Sequence, residues 1–115
     1  MKREHTRIFN SVWVVDFLDK DDEGFDVHFM ENGEICYEGR CYHSSQHIVV
    51  RNDITPFRIK STLIHEWLHA IIDMTGQEQN EHLIDALSTG IMDLLINDPF
   101  MVKFLSDTSD LRQAE

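Results

Sequence analysis

The sequence contains few cysteines and no long apolar run, and both shortages exclude classes of protein. Cys36 and Cys41 are the only cysteines, too few for the disulfide framework of a small secreted domain. No apolar run approaches the roughly 20 residues that a membrane-spanning helix needs. The basic N-terminal tip is followed by an apolar stretch that Asn10 and Asp16 interrupt, so we expect no signal peptide. These features predict a reduced, cytoplasmic protein that does not bind membranes.

Positive charge is also scarce. Ten Lys and Arg residues stand against 21 Asp and Glu residues, which gives a formal net charge of −11. Binding of nucleic acid or of an anionic membrane requires clustered cations, so we expect neither as a partner. An acidic surface usually keeps a small protein soluble, although it can also occupy a site meant for DNA.

The chain has the composition of one folded domain, and its first half predicts a sheet. Hydrophobic residues make up 42% of the chain, and we predict a single domain over residues 1–115. ENGE at 31–34 predicts a hairpin turn, because Asn-Gly tolerates positive φ. Gly24, Gly39 and residues 44–46 mark other turns. Short β-branched and aromatic runs predict the strands of a small, mostly antiparallel sheet: VWVVDF (12–17), FDVHF (25–29), EICY (34–37) and HIVV (47–50).

After residue 54 the apolar spacing becomes helical. Thr55 and Pro56 predict the start of a first helix, and Gly76 marks its end. Asn80 predicts the cap of a second helix, and Asp98-Pro99 ends that helix before a short third one over 100–105. A sheet followed by helices predicts an α+β domain.

The first predicted helix contains TLIHEWLHA, residues 62–70. His65 and His69 are one turn apart on one face, so both rings can reach one Zn²⁺ at about 2.0–2.1 Å. Glu66 is rotated by about 100° from His65, which suits a general base that takes a proton from a metal-activated water. The flanking residues are uncharged and predict a buried helix, in which a metal would compensate the polar side chains. We therefore predict a zinc site rather than a core helix with two satisfied histidines.

The second predicted helix begins with NEHLID, residues 80–85, and we expect a third ligand there. Glu81 is the preferred ligand, and Asp85 is expected to hold a ligand histidine by its second ring nitrogen. His82 is the main alternative, and Glu78 in the turn is another. A ligand at His82 would rotate the helix by about 100° and expose the stripe that we expect to face the core: Leu83, Leu87 and Ile91.

These motifs resemble those of a known family. TLIHEWLHA is similar to the extended zincin pattern, and NEHLID resembles the Asn-Glu-x-x-x-Asp element of gluzincins such as thermolysin. Over residues 8–105 the order of elements is similar to small phage and prophage zincin-like metallopeptidases and, more loosely, to the ImmA/IrrE group. That order includes a turn at Gly39-Arg40-Cys41 before the HIVV strand.

The resemblance implies His65, His69 and Glu81 as zinc ligands and Glu66 as the base. It also implies that an extended peptide or protein substrate lies along the HIVV strand, and that the chain acts in the cytoplasm, of a host cell if it is phage-derived. Residues and resemblance together predict a minimal gluzincin, a zinc metallopeptidase that hydrolyses peptide bonds through a metal-activated water. The alternative is a non-catalytic acidic module, stabilised by zinc, that inhibits a basic or DNA-binding partner.

Other polar and aromatic residues are assigned structural roles. Cys36, Cys41 and His43 could hold a second metal, but without a paired cysteine motif we expect them to be structural. His28 and His47 are predicted to lie on the surface of the sheet. Trp67, within the histidine motif, is predicted to pack away from the ligand face.

Overall fold

The structure, a computed structural model, describes residues 1–113. Its strands are β1 (Lys2–Ile8), β2 (Ser11–Leu18), β3 (Met30–Glu31), β4 (Glu34–Ile35), β5 (Gly39–Tyr42) and β6 (His47–Arg51). Its helices are α1 (Phe25–Phe29), α2 (Pro56–Met74), α3 (Glu81–Asn97), α4 (Pro99–Ser106) and α5 (Ser109–Gln113). The predicted α+β class is confirmed. No helix in the described range is long and apolar enough to cross a membrane.

The main sheet has four strands in the order β1-β2-β6-β5. β2 and β6 run parallel, whereas the β1–β2 and β5–β6 pairs are antiparallel, so the sheet is mostly antiparallel as predicted. β1 was not predicted from residues 2–8, because most of its side chains are charged or polar. An edge strand of this kind gains its structure from its neighbour, and its charged side chains face solvent.

The predicted strand at residues 25–29 is wrong, since these residues form helix α1. Five residues with apolar side chains at 25, 27 and 29 fit a strand, but Phe25 and Phe29 are also one helical turn apart. Both phenylalanines are buried with their ring centroids 4.9 Å apart, while Val27 is 77% exposed. Gly24, with φ at +90°, begins the helix. The hairpin at 31–34 is confirmed, with β3 paired to β4.

The sheet is covered on both faces. On one face α2 packs over the buried side chains of Ile8, Trp13, Val15, Ile48, Val50 and its own Ala70. On the other face α1 contributes to a second cluster of Leu18, Phe25, Phe29 and Val49. Because β6 lies at the centre of the sheet, its alternate residues supply both cores, and it holds α2 at a fixed position over the sheet.

The predicted helix starts are confirmed by their caps. The Thr55 hydroxyl accepts a hydrogen bond from the Arg58 amide at 3.3 Å at the start of α2. The Asn80 side chain accepts one from the Leu83 amide at 3.1 Å at the start of α3. Gly76, with φ at +72°, follows the end of α2. These caps are local contacts, which is why the sequence pattern predicts them well.

The predicted burial of both long helices is wrong in part. In α2 only Glu66 and Ala70 are buried, because one face meets the sheet and much of the opposite face borders an open cleft. In α3 the stripe expected in the core is turned outward, with Leu83 and Leu87 50% and 43% exposed and Ile91 half-buried. The buried residues are instead Ile84, Ser88 and Met92. The core stripe therefore gives no reason to prefer Glu81 over His82.

A buried carboxylate joins three strands on the face of the sheet that lies away from α2. Asp16 on β2 accepts hydrogen bonds from Arg3 Nε at 2.7 Å and Nη2 at 2.9 Å, and it contacts His47 Nε2 at 2.8 Å. The Arg3 guanidinium holds the pKa of Asp16 below its usual value. His28 Nδ1 lies 2.8 Å from the Tyr42 hydroxyl. The predicted surface position is therefore wrong for His28, which lies on α1, and both histidines are partly buried.

We expect Asp16→Asn to destabilise the fold by about 1–3 kcal/mol at neutral pH, since it weakens hydrogen bonds to a charged group. The folded pKa of Asp16 is depressed, so this stabilisation is present at neutral pH and is lost as pH falls through the folded value. Urea unfolding at several pH values should show the gap between the two proteins closing in acid. Asp21→Asn, at an exposed position, is the control. A gap that stayed constant down to pH 2 would contradict the assignment.

Candidate metal centre

His65 and His69 lie on the same face of α2, and this face is turned away from the sheet. Their Nε2 atoms are 3.2 Å apart and their ring centroids 4.9 Å apart. The neighbouring positions Glu66 and Ala70 face inward and are buried. His65 and His69 each precede one of these buried residues by one position, which is a rotation of about 100° around the helix. Both imidazoles therefore point past the sheet toward α3.

Glu81, the first residue of α3, completes the cluster. The short connection after Gly76 returns the chain to α2, and the Asn80 cap fixes where α3 begins. Glu81 Oε1 lies 2.7 Å from His65 Nε2, and Oε2 lies 3.0 Å from His69 Nε2. The ligand atoms of His65, His69 and Glu81 all lie within 4.8 Å of one another, so the group could hold a metal ion.

The other ring nitrogen of each histidine is held by a neighbour. Asp85 Oδ1 lies 3.1 Å from His65 Nδ1, the contact expected for this residue. Gln79 Oε1 lies 2.8 Å from His69 Nδ1, while Gln79 Nε2 donates to the His69 carbonyl at 3.1 Å. The second bond orients the amide so that its oxygen faces the ring. Both neighbours present an oxygen to Nδ1, an arrangement that leaves Nε2 as the nitrogen that would bind a metal ion.

Gln79 carries no signal in the sequence, because its role depends on how the loop between α2 and α3 folds back. By contrast, the two alternative third ligands lie outside the cluster. His82 and Glu78 are exposed, and neither belongs to the group of converging ligand atoms. The geometry places Glu81 where the preferred assignment expected it.

Glu66 is buried beside the two histidines but is not part of the converging group. Burial raises the pKa of its carboxyl, while His65 and His69 oppose that rise. The residue lines a cleft of about 1090 Å³ that also contains both histidines and Glu81. A carboxyl in this position can accept a proton from a water bound in the cleft, once a cation there favours its ionised form.

Gly39 allows the edge of the sheet to approach α2 closely. A Cβ atom at this position would lie 2.5 Å from Thr62 Cγ2 and 3.1 Å from Glu66 Cγ. Any larger residue would push β5 away from the helix and open the cleft. The predicted turn at residues 39–41 is therefore wrong, since Gly39 lies in β5 and its missing side chain makes room for α2.

The strand expected to bind an extended peptide is also corrected. β6, which contains HIVV, pairs with β2 on one side and with β5 on the other. It has no free edge to offer. β5 is the edge strand on that side of the sheet, and its residues 39–41 line the cleft that contains the histidines.

The remaining candidates lie apart from this group. Trp67 packs against the core under α2, as expected. Cys36 is exposed, whereas Cys41 is half-buried with its Sγ 3.7 Å from His43 Nδ1. Burial raises the pKa of the Cys41 thiol to about 12, which makes it unreactive at neutral pH. Within the described residues, Cys36, Cys41 and His43 form no converging ligand group.

Comparisons of the chain with protein-family models, with curated proteins and with solved structures find no match. The chemistry of the site is therefore argued from its own geometry.

We expect Gln79→Leu to lower the affinity of the cluster for a divalent metal by roughly 10–100-fold, because the His69 ring loses the contact that orients it. Gln77→Leu is the matched control, since Gln77 is an exposed glutamine of the same loop. Competition with a coloured chelator measures both affinities. If the two variants bound metal equally well, the Gln79 contact would have no influence on the ligand.

Proposed function

We propose that the chain is a zinc-dependent metallopeptidase, with His65, His69 and Glu81 as ligands and Glu66 as general base. One observation carries this proposal. Two histidine nitrogens and a carboxylate converge within 4.8 Å of one another, and a further buried carboxylate lies beside them in an open cleft. Three protein ligands with an accessible position are typical of catalytic rather than structural zinc sites.

The spacing of the two histidine nitrogens fits a metal ion of this size. Ligand atoms bonded at about 2.0–2.1 Å lie roughly 3.3 Å apart in a tetrahedral site and roughly 2.9 Å apart in an octahedral one. The two histidine Nε2 atoms are 3.2 Å apart. Glu81 approaches them with different oxygens, Oε1 at 2.7 Å from His65 Nε2 and Oε2 at 3.0 Å from His69 Nε2. Two histidines and one carboxylate also bind Fe(II) in oxygenases. Glu66 favours zinc hydrolysis, which requires a base beside the ligands.

The roles of the protein residues follow from their positions. When bound, zinc supplies a Lewis acid that polarises the substrate carbonyl and makes water more acidic. Glu66 takes the proton from that water and passes it to the leaving amine. Asp85 and Gln79 keep both histidine rings turned toward the cluster. The unpaired edge of β5 offers backbone donors and acceptors to an extended peptide.

The third ligand has a direct test. We expect Glu81→Ala to lower zinc affinity far more than His82→Ala, because only Glu81 contacts both histidines. A ligand that binds only the folded state at 100 times its Kd adds about 2.7 kcal/mol of stability. Zinc should therefore raise the melting temperature of the wild type and of His82→Ala but not of Glu81→Ala. The reverse ranking would contradict the gluzincin-type assignment and leave His82 as the ligand.

The general base has a separate test. We expect Glu66→Gln to keep its zinc but to hydrolyse peptides about 10²–10⁴-fold more slowly, because the base is lost. Asp93→Asn is the matched control, since Asp93 is a carboxylate in the same cleft that bonds Asn97 instead of a histidine. Mass spectrometry of a peptide library with metalated protein measures cleavage, and a chelator should stop it.

Two other outcomes of that experiment would change the assignment. Equal rates for Glu66→Gln and the wild type would show that Glu66 is not the base. Tight binding to a basic protein without turnover, unaffected by Glu66→Gln, would support the acidic zinc-stabilised module instead.

A further inference from the structure

The cleft continues well beyond the metal centre, along the two long helices. Glu81 contacts both His69 and His65, and Asp85, one turn further along α3, contacts His65 alone. Moving forward along α3 therefore means moving back along α2, and the two helices are antiparallel. When this register is continued along both helices, the C-terminal half of α3 lies beside the start of α2. Residues from both segments line the cleft: Phe57, Ser61, Thr62, Ser88, Met92 and Ile96.

The end of the cleft away from the metal centre has apolar side chains that are exposed to solvent. Phe57 and Ile96 line it with 55% and 58% of their surfaces exposed, and Met92, which also lines the cleft, is buried. The charged groups nearby already have partners. Glu38 is paired with Arg58, and Asp93 accepts a hydrogen bond from Asn97 at 2.8 Å. This end therefore offers burial of apolar surface beside one ion-paired carboxylate, Glu38, and one carboxylate that keeps its charge, Asp93.

Helix geometry sets the distance between this apolar end and the metal centre. Phe57 precedes His65 by eight residues, which is about 12 Å at 1.5 Å per residue. An extended peptide advances by about 3.3 Å per residue. A side chain three or four residues from the reacting carbonyl would thus reach Phe57, which lies past the first residue of β5, where Glu38 pairs with Arg58.

We propose that Phe57, Met92 and Ile96 form a subsite for a bulky apolar side chain, three or four residues from the bond that is cleaved. The inference rests on the proposed peptidase function and names its substrate class: extended peptide segments with a large apolar residue at that spacing. Two side chains expose far less area than the roughly 800 Å² per partner of a stable protein interface. The subsite is also continuous with the metal centre, so it fits part of a substrate rather than a second copy of the chain.

The test uses metalated protein and pairs of peptides that differ at one position, where one peptide has Leu and the other has Ser. The varied position lies two to six residues from the cleaved bond, on either side of it. With Leu three or four residues from the cleaved bond, the wild type should have a kcat/KM at least about 10-fold higher than with Ser, because KM is lower. Phe57→Ala and Ile96→Ala should bring the ratio of Leu to Ser peptides close to one. Phe104→Ala is the control, because Phe104 is 67% exposed on α4 and does not line the cleft. It should keep the preference.

The outcomes separate this inference from the proposed function. Cleavage with no preference for Leu at any position, or a preference that survives in Phe57→Ala and Ile96→Ala, would overturn the subsite and leave the peptidase intact. If no peptide is cleaved, the proposed function fails, and peptide binding to Glu66→Gln protein then decides the subsite. Tighter binding of Leu peptides that is lost with Phe57→Ala would support it, and equal binding would overturn it.

Discussion

The close packing of α2 on the edge of the sheet determines the geometry of the whole site. At Gly39 the strand β5 comes so near to α2 that a Cβ atom would lie 2.5 Å from Thr62. On the helix side, Ala70 is fully buried against the sheet. These two small residues fix the rotation of α2. That rotation buries Glu66 at the strand and turns His65 and His69, one step back along the helix, toward α3.

Local signals in the sequence predict the two long helices well, and contacts between distant segments explain much of what the sequence does not predict. Thr55 and Asn80 cap the helices through residues three positions away, so the pattern is visible in a short window. β1 is polar and becomes a strand through its pairing with β2. The run at 25–29 fits two periodicities, and only the buried positions of Phe25 and Phe29 decide between them.

The candidate site shows the same division between local and distant contacts. The spacing of His65 and His69 is a property of one helix and was readable from the motif. Glu81 was the preferred ligand partly because a stripe of leucines was expected in the core. That reason was wrong, since Leu83 and Leu87 are exposed. The antiparallel register of α2 and α3 brings Glu81 to the histidines, and this register, like the Gln79 contact, depends on tertiary folding.

The chain contains two groups of closely packed acidic and imidazole side chains, and they differ in how charge is balanced. Asp16 is compensated by the Arg3 guanidinium within the protein itself. Glu66, Glu81 and Asp85 lie around two histidines, and among the described side chains no Lys or Arg lies within ion-pair distance of them. Glu66 is buried, whereas Glu81 and Asp85 are exposed, and a buried carboxylate without a paired cation is costly. A divalent ion between His65, His69 and Glu81 would supply the missing charge, so the first group is complete as protein and the second is suited to hold a cation.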